Sequence, residues 1–205
     1  MTTRKKTILG ILVAGLVALT VGGMMAGRNP KQLHPGDTFP QTSLRNIHGG
    51  TVAIPGSQTK WVHLQFRRFA GCPICNLHLH EFIARDAEIK AAGIREVVVF
   101  HSPDASLLPY QGNFPFDVIG DPEKKLYAQF GVEASVFAIL NPAAWPAMAK
   151  GIGLKDKPKG DLEGGPLGLP ADLLIGSDGK VVASHYGRHS YDQWSVDDLL
   201  ALAKR

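Results

Sequence analysis

From residue 61 onward, apolar runs that suit strands alternate with runs that suit helices. Trp61-Val62-His63-Leu64-Gln65-Phe66 is apolar and β-rich, and residues 61–67 read as a buried strand. Residues 72–92 read as a helix, with Leu79, Phe82 and Ile83 on one side and Glu81, Arg85 and Glu88 offered to water. Gly93 is placed to end it. Ile94 to His101 contains Val97-Val98-Val99-Phe100, a continuous apolar run suited to a central strand. Ser102-Pro103-Asp104 reads as a strand-to-helix turn, and residues 116–119 as another short strand. Asp121-Pro122-Glu123 opens a helix through about Phe130, with Asp121 as N-cap and Pro122 at the first helical position. Ala171–Ile175 and Val181–Ala183 flank Asp178-Gly179, a strong hairpin signal. Ser195 to Lys204 is a closing helix with Ser195 as N-cap and Asp198 three residues on, close to a capping box. Residues 41–58 have room for a short hairpin around Gly49-Gly50. Alternating βα units imply parallel pairing, with an antiparallel hairpin added at one edge. The expected fold class is α/β, a mixed central sheet flanked by helices.

Three stretches break this pattern. Residues 141–169 hold six glycines, four prolines and four lysines without clean periodicity. They read as a long surface insertion with a short helix near 143–150, and a loop this long is usually functional or mobile. Residues 28–40 read as a proline-bearing linker, which leaves 41–205 as the domain. Residues 1–27 place Arg4, Lys5 and Lys6 before an uncharged stretch of 21 residues, Thr7 to Gly27. About 20 apolar residues span a bilayer as a helix, whereas the apolar core of a cleaved signal is shorter. Residues 7–27 therefore read as an uncleaved membrane anchor with its basic end in the cytoplasm and the domain facing the periplasm or cell exterior.

The chain has 205 residues, 44% of them hydrophobic and 20% charged, and a formal net charge of +4. Three of those charges belong to the N-terminal cations, and no basic run interleaved with aromatics follows them. Nucleic acid is therefore not an expected partner.

Cys72 and Cys75 are the only cysteines. They stand where the strand ends and the helix begins. A helix N-terminus offers unpaired N–H groups and partial positive charge, which favour thiolate at the first cysteine. An exported cysteine pair is either a structural disulfide or a redox device. A bridge over two residues closes a very small loop and stabilises little, so the reactive role is favoured.

The order of elements and the motif Cys72-Pro73-Ile74-Cys75 resemble the thioredoxin-like superfamily over about residues 36–205. Within it, Phe69-Ala70-Gly71-Cys72-Pro73-Ile74-Cys75-Asn76-Leu77 and Gly165–Asp172 look closest to the peroxiredoxin-like branch of the alkyl hydroperoxide reductase and thiol-specific antioxidant group. Tyr186-Gly187-Arg188 and Asp192–Asp197 add to the match. The resemblance implies that Pro170 in Gly168-Leu169-Pro170 is the family's proline, normally cis and packed against the cysteines. A cis Pro170 would leave neighbouring backbone free to pair with a bound substrate chain. The resemblance also puts Leu169 and Arg188 at the substrate. There is one departure. Typical members carry Thr or Ser three residues before the peroxide-attacking cysteine and a proline four residues earlier still. Here those positions are Phe69 and Gln65.

Cys72 is assigned as nucleophile, nearer the helix start and more exposed. Cys75, one turn in and more buried, resolves the mixed disulfide. Pro73 suits the first helical turn and removes one N–H, which tunes the thiolate without breaking the helix. Arg67, Arg68 and Arg188 are candidates to lower the Cys72 pKa or to bind an anionic oxidant. Cys72, Cys75 and His78 recur every three residues and share a helix face, with His80 pointing away. Trp61, Trp145 and Trp194 read as packing residues. No cofactor or metal is expected. Three readings follow: a thiol–disulfide oxidoreductase acting on protein or small-molecule thiols and disulfides, a peroxidase reducing hydroperoxides with the same cysteines, and a copper-carrying module in which His185 or His189 joins the pair.

Overall fold

The computed structural model describes residues 29, 31–56, 58–154 and 162–204. The chain divides at Gln32/Leu33, and the fold is that of the unit from Leu33 onward. The expected anchor, residues 7–27, lies outside the described residues. Among those residues, no helix is long and apolar enough to cross a membrane.

The central strand β3 (Trp61–Phe66) explains the layering. Side chains alternate across a strand. Val62, Leu64 and Phe66 therefore share one face, and His63 and Gln65 the other, with all five buried. The sheet runs β5-β4-β3-β6-β7, with β4 at Ile94–Phe100, β5 at Asp117–Gly120, β6 at Ala171–Gly176 and β7 at Val181–Tyr186. The pairs β3–β4 and β4–β5 are parallel, while β3–β6 and β6–β7 are antiparallel. The expected mixed sheet and edge hairpin are thus present. β7 leaves ladder register by one residue between Leu174 and Ile175 of its partner.

Val62, Leu64 and Phe66 pack with Val97, Val99, Ile119, Leu173 and Ile175 beneath Tyr127 and Phe130. The same layer takes Val52 and Ile54 from the antiparallel pair β1 (Thr42–Arg45) and β2 (Thr51–Ile54). Gly49, at φ +83°, turns that pair as the Gly49-Gly50 signal implies. On the opposite face lies α1 (Pro73–Ala84), followed by α2 (Asp86–Ala91). There Phe82 and Ile89 meet Leu174 together with Val196 and Leu199 of α7 (Val196–Ala203). Leu107 of α3 (Asp104–Gln111) covers Val98, Phe100 and Val118 on this face too.

Several boundaries differ from expectation. The single helix over 72–92 is two, interrupted where Arg85 takes φ −110° and ψ 17°. The helix expected from Asp121 is α4, Lys125–Gln129, because Lys124 takes a left-handed conformation. Asp121 still serves as its cap, accepting the N–H groups of Lys125 at 3.0 Å and Leu126 at 2.8 Å. The supposed linker contributes to the domain: Phe39 is buried in the core, and Leu33 N–H donates to the Tyr186 hydroxyl at 2.9 Å. The short helix expected near 143–150 is present as a 3-10 turn (Pro142–Ala144) running into α6 (Trp145–Ile152), just after α5 (Phe137–Leu140).

The closing helix has the full reciprocal cap. Ser195 Oγ accepts the Asp198 N–H at 3.2 Å, and the Asp198 carboxylate accepts the Ser195 N–H at 3.0 Å. Ser195→Ala removes one half of this exchange and should lower unfolding stability by about 1 kcal/mol, read from the urea midpoint.

Candidate active site

The cysteine motif sits where β3 runs into α1. Cys72 is the N-cap of α1 with extended backbone, and Pro73 occupies the first helical turn. Cys72 Sγ accepts the N–H of Cys75 at 3.2 Å, so this sulfur meets one of the free donors of the helix end. Cys72 and Cys75 are joined in a disulfide with Cα atoms 5.3 Å apart.

Side chains hold the loop before Cys72 from three directions. The Asn76 amide donates to the carbonyls of Ala70 at 2.8 Å and Cys72 at 2.9 Å. Gln111 on α3 donates to Asn76 Oδ1 and to the Ala70 carbonyl, both at 3.1 Å. The Ala70 N–H donates to Ser102 Oγ at 3.0 Å. The cysteine hairpin is therefore fixed to α3 and to the end of β4.

One expectation fails at the motif. Cys72 is not the more exposed cysteine: it is 0% exposed and Cys75 3%. Their cluster takes in Phe69, Ile74, Leu79 and Leu107, and the insertion adds to it. Ala144 and Ala147 are buried in the same apolar cluster as the two cysteines, and α6 lies along α1. The backbone of Gly151 abuts the motif, since a Cβ there would stand 2.6 Å from the Pro73 carbonyl carbon.

Beneath α1 is a buried ionic network that the sequence did not announce. Arg67 Nη2 donates to Asp172 Oδ1 at 2.6 Å, to Gln65 Oε1 at 2.6 Å and to His78 Nε2 at 3.1 Å. His63 faces Glu96 through Nδ1 at 2.8 Å and Asp172 through Nε2 at 3.2 Å. Gln65 closes the circuit by donating to Glu96. Both His63 nitrogens face carboxylates, so the ring is an imidazolium that donates twice. Burial alone would lower its pKa, but Glu96 and Asp172 together raise it to about 9. Burial works against the Asp172 carboxylate as well, yet Arg67 and His63 hold it below the usual carboxylate range. His78 is held neutral, well below its ordinary value, by burial and then by the Arg67 charge. Two cations thus balance two carboxylates, the condition under which buried charge is tolerated. The signal in the sequence was His63, Gln65 and Arg67 at alternate positions in an otherwise apolar strand.

The other candidates are placed as follows. Arg67 is consumed by this network. Arg68 is buried as well, donating to the Pro166 carbonyl at 2.8 Å and lying over the Phe69 ring at 5.6 Å, and burial lowers its pKa to about 10. His101, which no sequence signal singled out, packs beside Phe69 at 6.1 Å, and its pKa is lowered to about 4 by burial and then by Lys124 and Arg68. Arg188 is 89% exposed and lies 3.4 Å from Asp192. Among the described residues the cis peptide bond joins Ile54 and Pro55; Leu169–Pro170 is trans. Two of the backbone groups there already have partners within the chain. Leu169 N–H donates to the Glu133 carbonyl at 3.0 Å, and the Pro170 carbonyl accepts from Gly187 at 2.9 Å. His78 faces Arg67, His80 is exposed and His185 bonds Asp192 at 2.8 Å. Among the described residues, no three His, Cys, Asp or Glu side chains are grouped to hold a metal ion. Trp61 and Trp194 pack against the cluster of Phe82, Ile89, Leu174 and Leu199, whereas Trp145 lies on the surface.

A disulfide-linked cysteine pair opening the first helix after the central strand of such a sheet is the arrangement of a thioredoxin-like oxidoreductase. The family model of the AhpC/TSA antioxidant enzymes matches residues 79–189, and the chain belongs to that family. The matched stretch begins four residues after Cys75. Peroxidoxin BcpB from Mycobacterium tuberculosis superposes with a TM-score of 0.62 at 19% identity, covering 84% of this chain and 97% of that one. A peroxiredoxin-like protein from Aquifex aeolicus gives 0.59 at 15%, covering 84% and 87%. A provisionally assigned thiol:disulfide interchange protein DsbE from Chlorobium tepidum gives 0.55 at 19%, covering 84% and 99%. No curated protein matches the chain in sequence. At these identities the structural likenesses establish the fold.

Two outcomes test the network. Asp172→Asn leaves buried cations in excess and should cost about 3–5 kcal/mol of stability in urea denaturation. The His63 pKa is raised on folding, so its contribution is complete below pH 6.5 and is lost as pH climbs through about 9. The oxidised protein should lose about 3 kcal/mol between pH 6 and pH 10. In His63→Gln that alkaline loss should be absent.

Proposed function

We propose that the protein is a thiol–disulfide oxidoreductase using Cys72 and Cys75, held by residues 7–27 on the extracytoplasmic side of a membrane. The observation that carries this reading is Cys72 at the N-cap of α1, with its sulfur on the Cys75 N–H and its bridge closed within one helical turn. A donor aimed at sulfur, with the partial positive charge of the helix end, favours the thiolate over the thiol.

The exchange follows from that placement. Cys72 thiolate attacks one sulfur of a substrate disulfide. The substrate S–S bond breaks, and its departing sulfur takes a proton from solvent. Cys75, deprotonated, then attacks Cys72 Sγ. The mixed disulfide breaks, the second substrate thiol leaves and the internal bridge re-forms. The substrate gains two electrons and the cysteine pair loses two. Leu169 is half-buried and Arg188 stands in solvent at the end of β7; contact with substrate at either is part of this proposal.

Membership of the antioxidant family supports a second reading, hydroperoxide reduction by the same sulfurs. There Cys72 thiolate attacks the peroxide, the O–O bond breaks and an alcohol leaves. The sulfenic acid then condenses with Cys75 to the disulfide and water. Phe69 supplies a buried ring where a hydroxyl is usual, so nothing at that position hydrogen-bonds a peroxide. Disulfide exchange does not need that hydroxyl.

Turnover of a disulfide and of hydrogen peroxide, each with dithiothreitol as electron source, separates the two readings. Disulfide turnover should be the faster. Cys72→Ser should abolish it, while Cys75→Ser should accumulate a mixed disulfide visible by mass spectrometry. Full activity in Cys72→Ser on both substrates would sink both readings.

A further inference from the structure

The insertion meets the cysteine motif in an unusual way. Its inward residues are Ala144, Ala147 and Gly151, which are small, and Met148, which is half-buried against the same cluster. Its other large apolar side chains point out, with Trp145 57% and Ile152 56% exposed, and Leu140 just before at 64%. A surface helix normally buries its largest apolar groups. Here α6 lies on α1 through these residues, with Gly151 against Pro73, and the two cysteines flanking Pro73 and Ile74 have almost no surface of their own. A thiolate attack needs an open line to sulfur. The reactive motif and its burial are reconciled only if α6 moves. Trp145 Nε1 donates to the Ile139 carbonyl at 3.1 Å, tying α6 to α5, so the two move together.

We propose that α6 is a displaceable cover on the Cys72–Cys75 bridge, which must lift from Pro73 before either sulfur exchanges. This rests on the disulfide-exchange reading of the cysteine pair. Access to the bridge is then set by the opening of α6 and not by encounter with the reductant. Small-molecule thiols and phosphines enter during openings. A protein disulfide exchanges only while the whole of α6 is off the motif.

Reduction of the full-length oxidised protein by a phosphine tests this. In the wild type the rate should level off as tris(carboxyethyl)phosphine concentration rises, at the opening rate of α6. Gly151→Leu cannot keep its contact, because a side chain there collides with Pro73 backbone. It should be reduced at least 10-fold faster, with a rate linear in phosphine. Ala147→Asp, which places a charge against the same buried cluster, should behave alike and serves where Gly151→Leu does not fold. Equal rates, linear in phosphine in wild type and variants, overturn the cover and leave the exchange reading standing. A bridge that resists the phosphine in all three proteins overturns both.

Discussion

The Arg67–Asp172 ion pair, sealed between sheet and helix, is the constraint on which the cysteine-bearing face depends. β3 offers an apolar surface to one layer and His63, Gln65 and Arg67 to the other. Those polar groups are not turned to water. They are closed over by α1, which contributes His78, and by the segment leading to α7, where the Trp194 N–H approaches Asp172 Oδ2 at 3.3 Å. Each charge has an opposite charge in contact, and His78 accepts without adding one. Such a network need not stabilise more than an apolar core of the same shape, but removing one member leaves a charge without its partner. What it supplies is position. A helix laid on an apolar layer can slide by a rotamer, whereas one tied to a guanidinium through an imidazole is held at a given turn. The residue so tied, His78, is one turn beyond Cys75.

The same logic extends upward to the motif. Tyr127 donates to the Arg67 carbonyl and, at 2.9 Å, to that of Val99, fixing the end of β3 against β4 from the other layer. Asn76, Gln111 and Ser102 then satisfy the polar backbone between Ala70 and Cys72. The sulfur of Cys72 is thereby set on the helix end. In the proposed exchange, preorganisation of this sort lowers the cost of reaching the attacking geometry.

The elements with a local cause were legible in the sequence. The capping box at Ser195 and Asp198, the turn at Gly49 and the extended runs at 61–66, 94–100 and 171–176 each follow from neighbouring residues, and each is present. The placement of Cys72 and Pro73 at the helix start was legible for the same reason. What was not legible is long-range. Nothing within a few residues of Lys124 announces a left-handed turn that delays α4. The exposure order of the cysteines was not legible because part of their buried cluster, Ala144 and Ala147, comes from far downstream in a stretch without periodicity. The isomer of the Leu169–Pro170 bond was not legible, because a resemblance in order does not specify it or show that Glu133 and Gly187 bond neighbouring backbone groups. The polar face of β3 was visible as an alternation, but only α1 and β6 reveal that it is buried and balanced.

Burial and reactivity pull in opposite directions at a redox cysteine. Withdrawing sulfur from water disfavours the thiolate, and the N-terminal donors of α1 act against that loss. The chain meets the conflict by separating the two demands. The lower side of α1 is anchored by charge and aromatic packing, with His78 and Phe82 4.7 Å apart by ring centroid. The upper side is closed by Ala144, Ala147, Gly151 and the half-buried Met148, with no charged side chain among them. Displacing the upper contact strands no charge, whereas displacing the lower one would strand ions. Any motion that uncovers the sulfurs therefore belongs to the insertion and leaves the helix that carries them in place.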